Sequence, residues 1–203
     1  VTRIILGSAS PRRRELLSAA GIAFDVERPD VDESLPLGID PTEAARLLAE
    51  RKARAIVGRV PADRIVLAAD TIVAVDVAGT WQLLGKAEDE QEAAEMLRLL
   101  SRARHQVVTG VCALSAHPGA APHVGSERTW VSMRAITSAE IAAYVASGEW
   151  RDKAGGYAIQ ESADRFVVGL EEGGIDNVVG LPVGLALELL RAAGALVQRD
   201  PLG

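Results

Sequence analysis

Short apolar runs alternate along this chain with stretches whose apolar residues recur at helical spacing. Ile4-Ile5-Leu6 reads as a strand, followed by the small-residue turn Gly7-Ser8-Ala9 and a helix that Ser10 caps and Pro11 begins. Gly21 suits the end of that helix, and Phe24-Asp25-Val26 leads into an acidic loop over residues 29–34. Asp40-Pro41-Thr42-Glu43 is a second helix start, and its helix runs to about Val57 with Leu48 and Ile56 on the apolar stripe. Residues 65–75 are almost continuously apolar, as in strands covered on both faces, and Asp70 closes one such run. Leu83-Leu84-Gly85-Lys86 predicts a turn with the lysine at its tip. Asp89 and Glu92 cap a helix reaching about Leu100, and residues 105–114 read as a strand that Thr109-Gly110 interrupts. Residues 115–127 read as a surface hairpin loop, with residues 128–136 as the returning strand. Thr137 and Glu140 cap a helix that stops at Ser147-Gly148. Residues 149–161 combine charged side chains, two glycines and a short strand, residues 166–170 read as a strand, and Asn177–Pro182 leads into a last helix ending near Gly194.

The 203 residues suit one domain spanning the whole chain, with length enough for a real core. Aromatic residues make up only 3%, so that core has to be built from Ala, Val, Leu and Ile. No run approaches the length of a membrane span and no signal-peptide pattern precedes the first strand, so the expectation is a soluble, cytoplasmic protein without membrane association. The one cysteine, Cys112, lies in an apolar run and excludes an internal disulfide. The three histidines, His105, His117 and His123, lack zinc-ligand spacing. A net charge of −6 argues against nucleic acid as a partner, so any anionic ligand needs a local positive pocket.

Three cationic features supply candidates for such a pocket. Arg12, Arg13 and Arg14 occupy the first turn of a helix, where the macrodipole disfavours cations and a capping box would want Glu or Gln in place of Arg13. A broken local rule of this kind marks either an anion site, for which phosphate is the obvious ligand, or a solvated arginine run. Only three of the 22 Lys and Arg residues are lysines, Lys52, Lys86 and Lys153, which flags those positions as places for a compact charge. Lys52 falls midway between Leu48 and Ile56 on the apolar stripe, where it either snorkels to solvent or points at an anion. Among the carboxylates, Asp30, Asp32 and Glu33 on one loop either gather a hard divalent cation or are simply solvated. Asp70, embedded in apolar sequence, needs hydrogen bonds, a cation or a metal. Neither a P-loop nor a Rossmann glycine turn is present, and no G-x-S-x-G elbow.

Taken together, Ser8-Ala9-Ser10-Pro11-Arg12-Arg13, Asp32-Glu33, Lys52, Ala69-Asp70-Thr71, Leu84-Gly85-Lys86, Thr109-Gly110-Val111, Asp152–Tyr157, Gln160 and Asn177–Pro182 resemble the Maf family of nucleoside triphosphate pyrophosphatases, in family order across almost the whole chain. The resemblance implies an α/β fold with a mixed twisted sheet flanked by helices, two lobes and a central cleft, similar to inosine triphosphatases, often as a homodimer. It implies hydrolysis of a nucleoside triphosphate between its α and β phosphates, as house-cleaning of nucleotide pools, with links to septum formation and division arrest. On this reading Arg13, Lys52 and Lys86 hold the triphosphate, and Asp70 is the proton acceptor, a metal ligand, or both. Glu33 is the second carboxylate for Mg²⁺ or Mn²⁺. Ser8, Ser10 and Lys153 belong to the same substrate-binding set. Arg12, Thr71 and Gln160 match members that prefer dTTP and UTP, and an amide such as Gln160 offers a base edge both donor and acceptor. The rival readings are a pyrophosphatase for 7-methyl-GTP or another modified nucleotide, and a non-catalytic nucleotide-binding regulator of septum formation. The sequence departs from the family at Ala87, at Glu161 and at Ile175-Asp176; a carboxylate at Glu161 can alter the preference of a base pocket.

Overall fold

A computed structural model describes residues 3–160 and 162–196. Its centre is one seven-stranded mixed sheet flanked by helices. Strands β1 (Arg3–Gly7), β2 (Phe24–Glu27) and β3 (Arg64–Val77) run parallel, with β1 in the middle. Beyond β3 the sheet turns antiparallel through β5 (Arg104–Ser115), β6 (His123–Met133) and β7 (Val167–Glu171). Strand β4 (Thr80–Leu84) folds back on the second half of β3. The helices are α1 (Pro11–Ala19), α2 (Pro41–Val57), α3 (Glu90–Leu100), α4 (Ser138–Ser147), the short α5 (Ile175–Val179) and α6 (Val183–Ala192). Among the described residues no helix is long and apolar enough to cross a membrane.

The helix starts anticipated from capping residues form as expected. Ser10 accepts from the Arg13 amide, Asp40 from Thr42 and Glu43, Asp89 from Glu92, and Thr137 closes a reciprocal box with Glu140. Helix α2 lies on one face of the sheet, packing Ala49, Ala53 and Ile56 on Ile5, Val66, Ala68 and Cys112. The opposite face carries Leu17 of α1 and Ala186 and Leu190 of α6 against Leu6, Leu67 and Ala69. A third cluster, built on Leu97, Leu100, Tyr144, Trp150 and Phe166, joins α3 and α4 to the far half of the sheet.

Several expectations change. Residues 65–75 lie in one unbroken 14-residue strand, so Asp70 is in its middle and does not close a run. Thr109-Gly110 does not interrupt β5. Gly110 is there because α2 crosses it: a Cβ would stand 2.2 Å from the Ala45 carbonyl oxygen. The returning strand begins at His123 instead of Arg128, since ladder pairing with β5 overrides the loop-like composition of residues 123–127. The turn expected at Leu83–Lys86 falls earlier, at Ala78 and Gly79, both at positive φ, and Lys86 forms an isolated bridge with Ala154. Residues 157–160 are irregular and end in a turn at 159–160 instead of forming a strand, and residues 175–179 form a helical turn ahead of the last helix.

Candidate active site

The pairing of β3 creates the site. On one edge β3 is covered first by β1, over Arg64–Ala68, and later by β4, over Val73–Val77. Between those stretches residues 69–72 pair only with β5, because the chain leaves β1 at Gly7 to enter α1. Asp70 and Thr71 therefore sit at a gap in the sheet. Alternation sends Asp70 towards α2 and Thr71 towards α1. The cleft at this gap holds about 930 Å³, within the ordinary range for a small-molecule site. It is lined by all eleven sequence-derived candidates: Ser8, Ser10, Arg12, Arg13, Glu33, Lys52, Asp70, Thr71, Lys86, Lys153 and Gln160.

On the α2 side, Lys52 is buried and does not snorkel. Its ammonium is bonded to Asp70 Oδ1 and lies 2.7 Å from Glu33 Oε1, so one lysine bridges two carboxylates. Burial alone would push Glu33 up, but the hydrogen bond and charge of Lys52, followed by the charges of Lys86 and Arg13, hold it below its usual value. Lys52 engages one oxygen of Asp70, and Asp70 is among the residues that line the cleft. Asp32 belongs to a different arrangement, in which its carboxylate is occupied by the Ser34 amide and hydroxyl at 2.8 and 2.7 Å. Arg51 anchors the same loop through the carbonyls of Asp32 and Ser34. Of the acidic loop, Glu33 is the carboxylate that lines the cleft.

On the α1 side, the arginine run separates into three roles. Arg14 is exposed, as its 100° offset along the helix requires. Arg13 turns inward and donates from Nε to the Gly180 carbonyl at 2.8 Å, and through its terminal nitrogens to Ser8 Oγ at 3.3 Å and Thr71 Oγ1 at 3.1 Å. All three acceptors are neutral, and among the described residues Arg13 has no ion pair. Burial lowers its pKa, Asp70 opposes that, Arg12 adds to it and Glu33 opposes it, yet a guanidinium keeps its proton. A partly buried cation held only by neutral groups is poised for an anion. Ser8 Oγ also accepts from the Ser10 amide, so among the described residues its own proton is uncommitted.

The third wall is the stretch 151–160. Arg12 donates to the Asp152 carbonyl at 3.4 Å, and Lys86 approaches the Asp152 carboxylate at 3.7 Å, in an exposed and therefore weak ion pair. The Lys86–Ala154 bridge and the Gly155 amide bonded to the Gly85 carbonyl tie this wall to the end of β4. Gly155 and Gly156 both adopt positive φ of +69°, and a Cβ on Gly155 would press on Val73. Lys153 is buried and its ammonium donates to the Glu149 carbonyl. Gln160 lines the cleft, whereas Glu161 lies outside the described residues. Two further cations, Arg28 and Arg151, line the cleft and were missed from sequence. Arg28 adjoins the acidic loop and Arg151 lies inside the double-glycine stretch 149–161, and that proximity was the available signal.

Among the described residues no cluster of three or more His, Cys, Asp or Glu side chains could enclose a metal. Two hard carboxylates at one cleft wall do fit a cation that takes its remaining ligands from phosphate and water, as Mg²⁺ ordinarily does.

Known proteins resemble this chain along nearly its whole length. Residues 3–193 match the family model described as Maf-like protein. A dTTP/UTP pyrophosphatase of Deinococcus radiodurans is 46% identical over 196 residues, covering 95% of this chain and 93% of that protein. One from Koribacter versatilis is 44% identical over 193 residues, 95% of each chain. A HAM1 protein from Coxiella burnetii shares the fold, with a TM-score of 0.51 at 17% identity over 95% of this chain and 98% of that one.

Proposed function

The chain belongs to the Maf-like protein family, and we propose that it hydrolyses nucleoside triphosphates, with dTTP and UTP preferred, between the α and β phosphates. The observation that carries this is the convergence, at one gap in the sheet, of a neutral-held Arg13 with a lysine that bridges two carboxylates. Catalysis of phosphoryl transfer is chiefly positioning and charge neutralisation, and this site is equipped for both.

Arg13, Lys52 and Lys86 hold the triphosphate. Lys52 fixes one oxygen of Asp70, so the other can take a proton from water. The water oxygen bonds to the α-phosphorus, the bridging bond to the β-phosphate breaks, and pyrophosphate leaves with its charge on the cationic side chains. Glu33 and Asp70 would hold Mg²⁺ or Mn²⁺, and such a cation neutralises phosphate charge when bound. Arg12 and Gln160, on the walls where α1 meets residues 151–160, bear on base choice.

The test is pyrophosphate release from dTTP, UTP, the other canonical triphosphates, 7-methyl-GTP and inosine triphosphate, with and without Mg²⁺. Release from dTTP and UTP above the rest, reduced at least a hundredfold by Asp70→Asn, is the expected result. Undiminished turnover in Asp70→Asn overturns the assignment of the base, and no release from any triphosphate overturns the activity.

A further inference from the structure

Two sequence segments matched by the resemblance, Thr109-Gly110 and Asn177–Pro182, contribute no side chain to the chemistry above, yet they meet behind Thr71. We propose that Thr109 and Asn177 are positioning residues for Arg13, acting through the hydroxyl of Thr71. This rests on the reading of Arg13 as a phosphate-binding cation.

The direction of each hydrogen bond follows from donor counting. A threonine hydroxyl has one proton and two acceptor lone pairs. Thr109 Oγ1 spends its proton on the Asn177 carbonyl oxygen, 2.9 Å away, and a carbonyl can only accept. The 2.9 Å contact between Thr71 Oγ1 and Thr109 Oγ1 therefore has Thr71 as donor. With its proton committed, Thr71 meets Arg13 as an acceptor, at 3.1 Å, the one role that a guanidinium can use. Thr71 thus has no proton to offer a nucleotide base, and its part in selectivity runs through the placement of Arg13.

Asn177 is held firmly enough to anchor this chain. It is fully buried, its Oδ1 accepts from the Thr109 amide at 3.2 Å, and its Nδ2 donates to the Val107 carbonyl and to Thr129 Oγ1 at 3.1 and 2.9 Å. Thr129 passes its own proton to the Gly174 carbonyl at 3.2 Å, just ahead of α5. The same short helix ends at Gly180, whose carbonyl takes Nε of Arg13 at 2.8 Å. Both sides of the guanidinium are consequently referenced to one helical turn. Gly180 has φ of +124°, and a Cβ there would stand 3.3 Å from Thr71 Oγ1 and 3.5 Å from Arg13 Nε, so only glycine leaves this junction unstrained.

A double-mutant cycle tests the proposal on the full chain, with pyrophosphate release as readout. Thr109→Val is nearly isosteric and removes the hydroxyl that accepts the Thr71 proton; it is expected to lower kcat/KM about tenfold, and Thr109→Ser to restore it. On an Arg13→Ala background Thr109→Val is expected to cost nothing further, because there is no guanidinium left to place. Thr71→Val cuts the chain one step nearer the cleft and gives the same pattern if Thr109→Val folds poorly. An equal loss on both backgrounds, or no loss in either valine variant, overturns the proposal. If the native chain releases pyrophosphate and the cycle is additive, this inference alone fails; if the native chain releases none, the functional reading fails and takes the inference with it.

Discussion

Replacing Gly110 by alanine perturbs the site from a distance, and the structure sets the size of the effect. Gly110 is paired in register with Asp70, and the added methyl would stand 2.2, 2.3 and 2.6 Å from the Ala45 oxygen, the Ala45 carbonyl carbon and the Arg46 nitrogen. These are backbone atoms of α2, which no rotamer change can clear. Carbon contacts settle near 3.5 Å, so α2 has to retreat by more than about 1 Å where it crosses β5. Lys52 lies two turns along the same face of α2 from Ala45, and the retreat draws its ammonium away from Asp70. Overpacking of this kind costs about 1–3 kcal/mol, or roughly 2–12 °C in Tm at this chain length. Misplacing a catalytic group by about 1 Å can cost about a hundredfold in rate. Thermal melts and pyrophosphate release on Gly110→Ala should therefore both fall by these amounts. Gly58→Ala, where nothing lies within 4 Å of the new methyl, should leave turnover unchanged. A Gly110→Ala protein with native Tm and native kcat/KM would refute the claim that glycine is needed for the approach of α2.

Two other outcomes follow from the ionisable groups. Lys52→Met leaves Asp70 buried without its cation and should destabilise the chain by about 3–5 kcal/mol in urea titrations, while Lys52→Met combined with Asp70→Asn recovers most of that stability and none of the activity. His105 is fully buried against Tyr157, with Nε2 2.7 Å from the phenol oxygen, and burial lowers its pKa to about 4. Because the folded value lies below the unfolded one near 6.5, the folded chain favours the neutral ring. That contribution is complete above about pH 6.5 and is lost as pH falls through 4, up to about 3 kcal/mol. Urea midpoints measured from pH 7.5 to 4.5 should fall more steeply for the native chain than for His105→Gln; parallel slopes would show that the ring does not govern this limb.

The local signals in the sequence were sufficient wherever a short-range interaction decides the outcome. Helix starts at Ser10, Asp40, Asp89 and Thr137 were legible because a capping side chain reaches amides two or three residues away. The arginine run was legible as an anomaly because the dipole it opposes belongs to its own helix. Individual site residues were legible too, and all of them line one cleft. What could not be read locally was pairing. The continuity of β3 through Asp70, the early start of β6 and the strand character of residues 80–84 depend on ladder partners far along the chain. Gly110 looked like a break because its reason, the backbone of α2 lying across it, is 65 residues away at Ala45.

The sequence by itself determined the chemistry: which cations and carboxylates exist, which helix presents an arginine at its start, and which lysine sits on an apolar stripe. Only the tertiary structure decided how they are used. It alone leaves a gap beside β3 where β1 has ended and β4 has not begun, and it brings Lys52 from α2 and Arg13 from α1 to opposite faces of that gap. The reason is that charge and helix capping are properties of neighbouring residues, whereas burial of a charge, and the partner that makes it tolerable, exist only once distant segments have packed together.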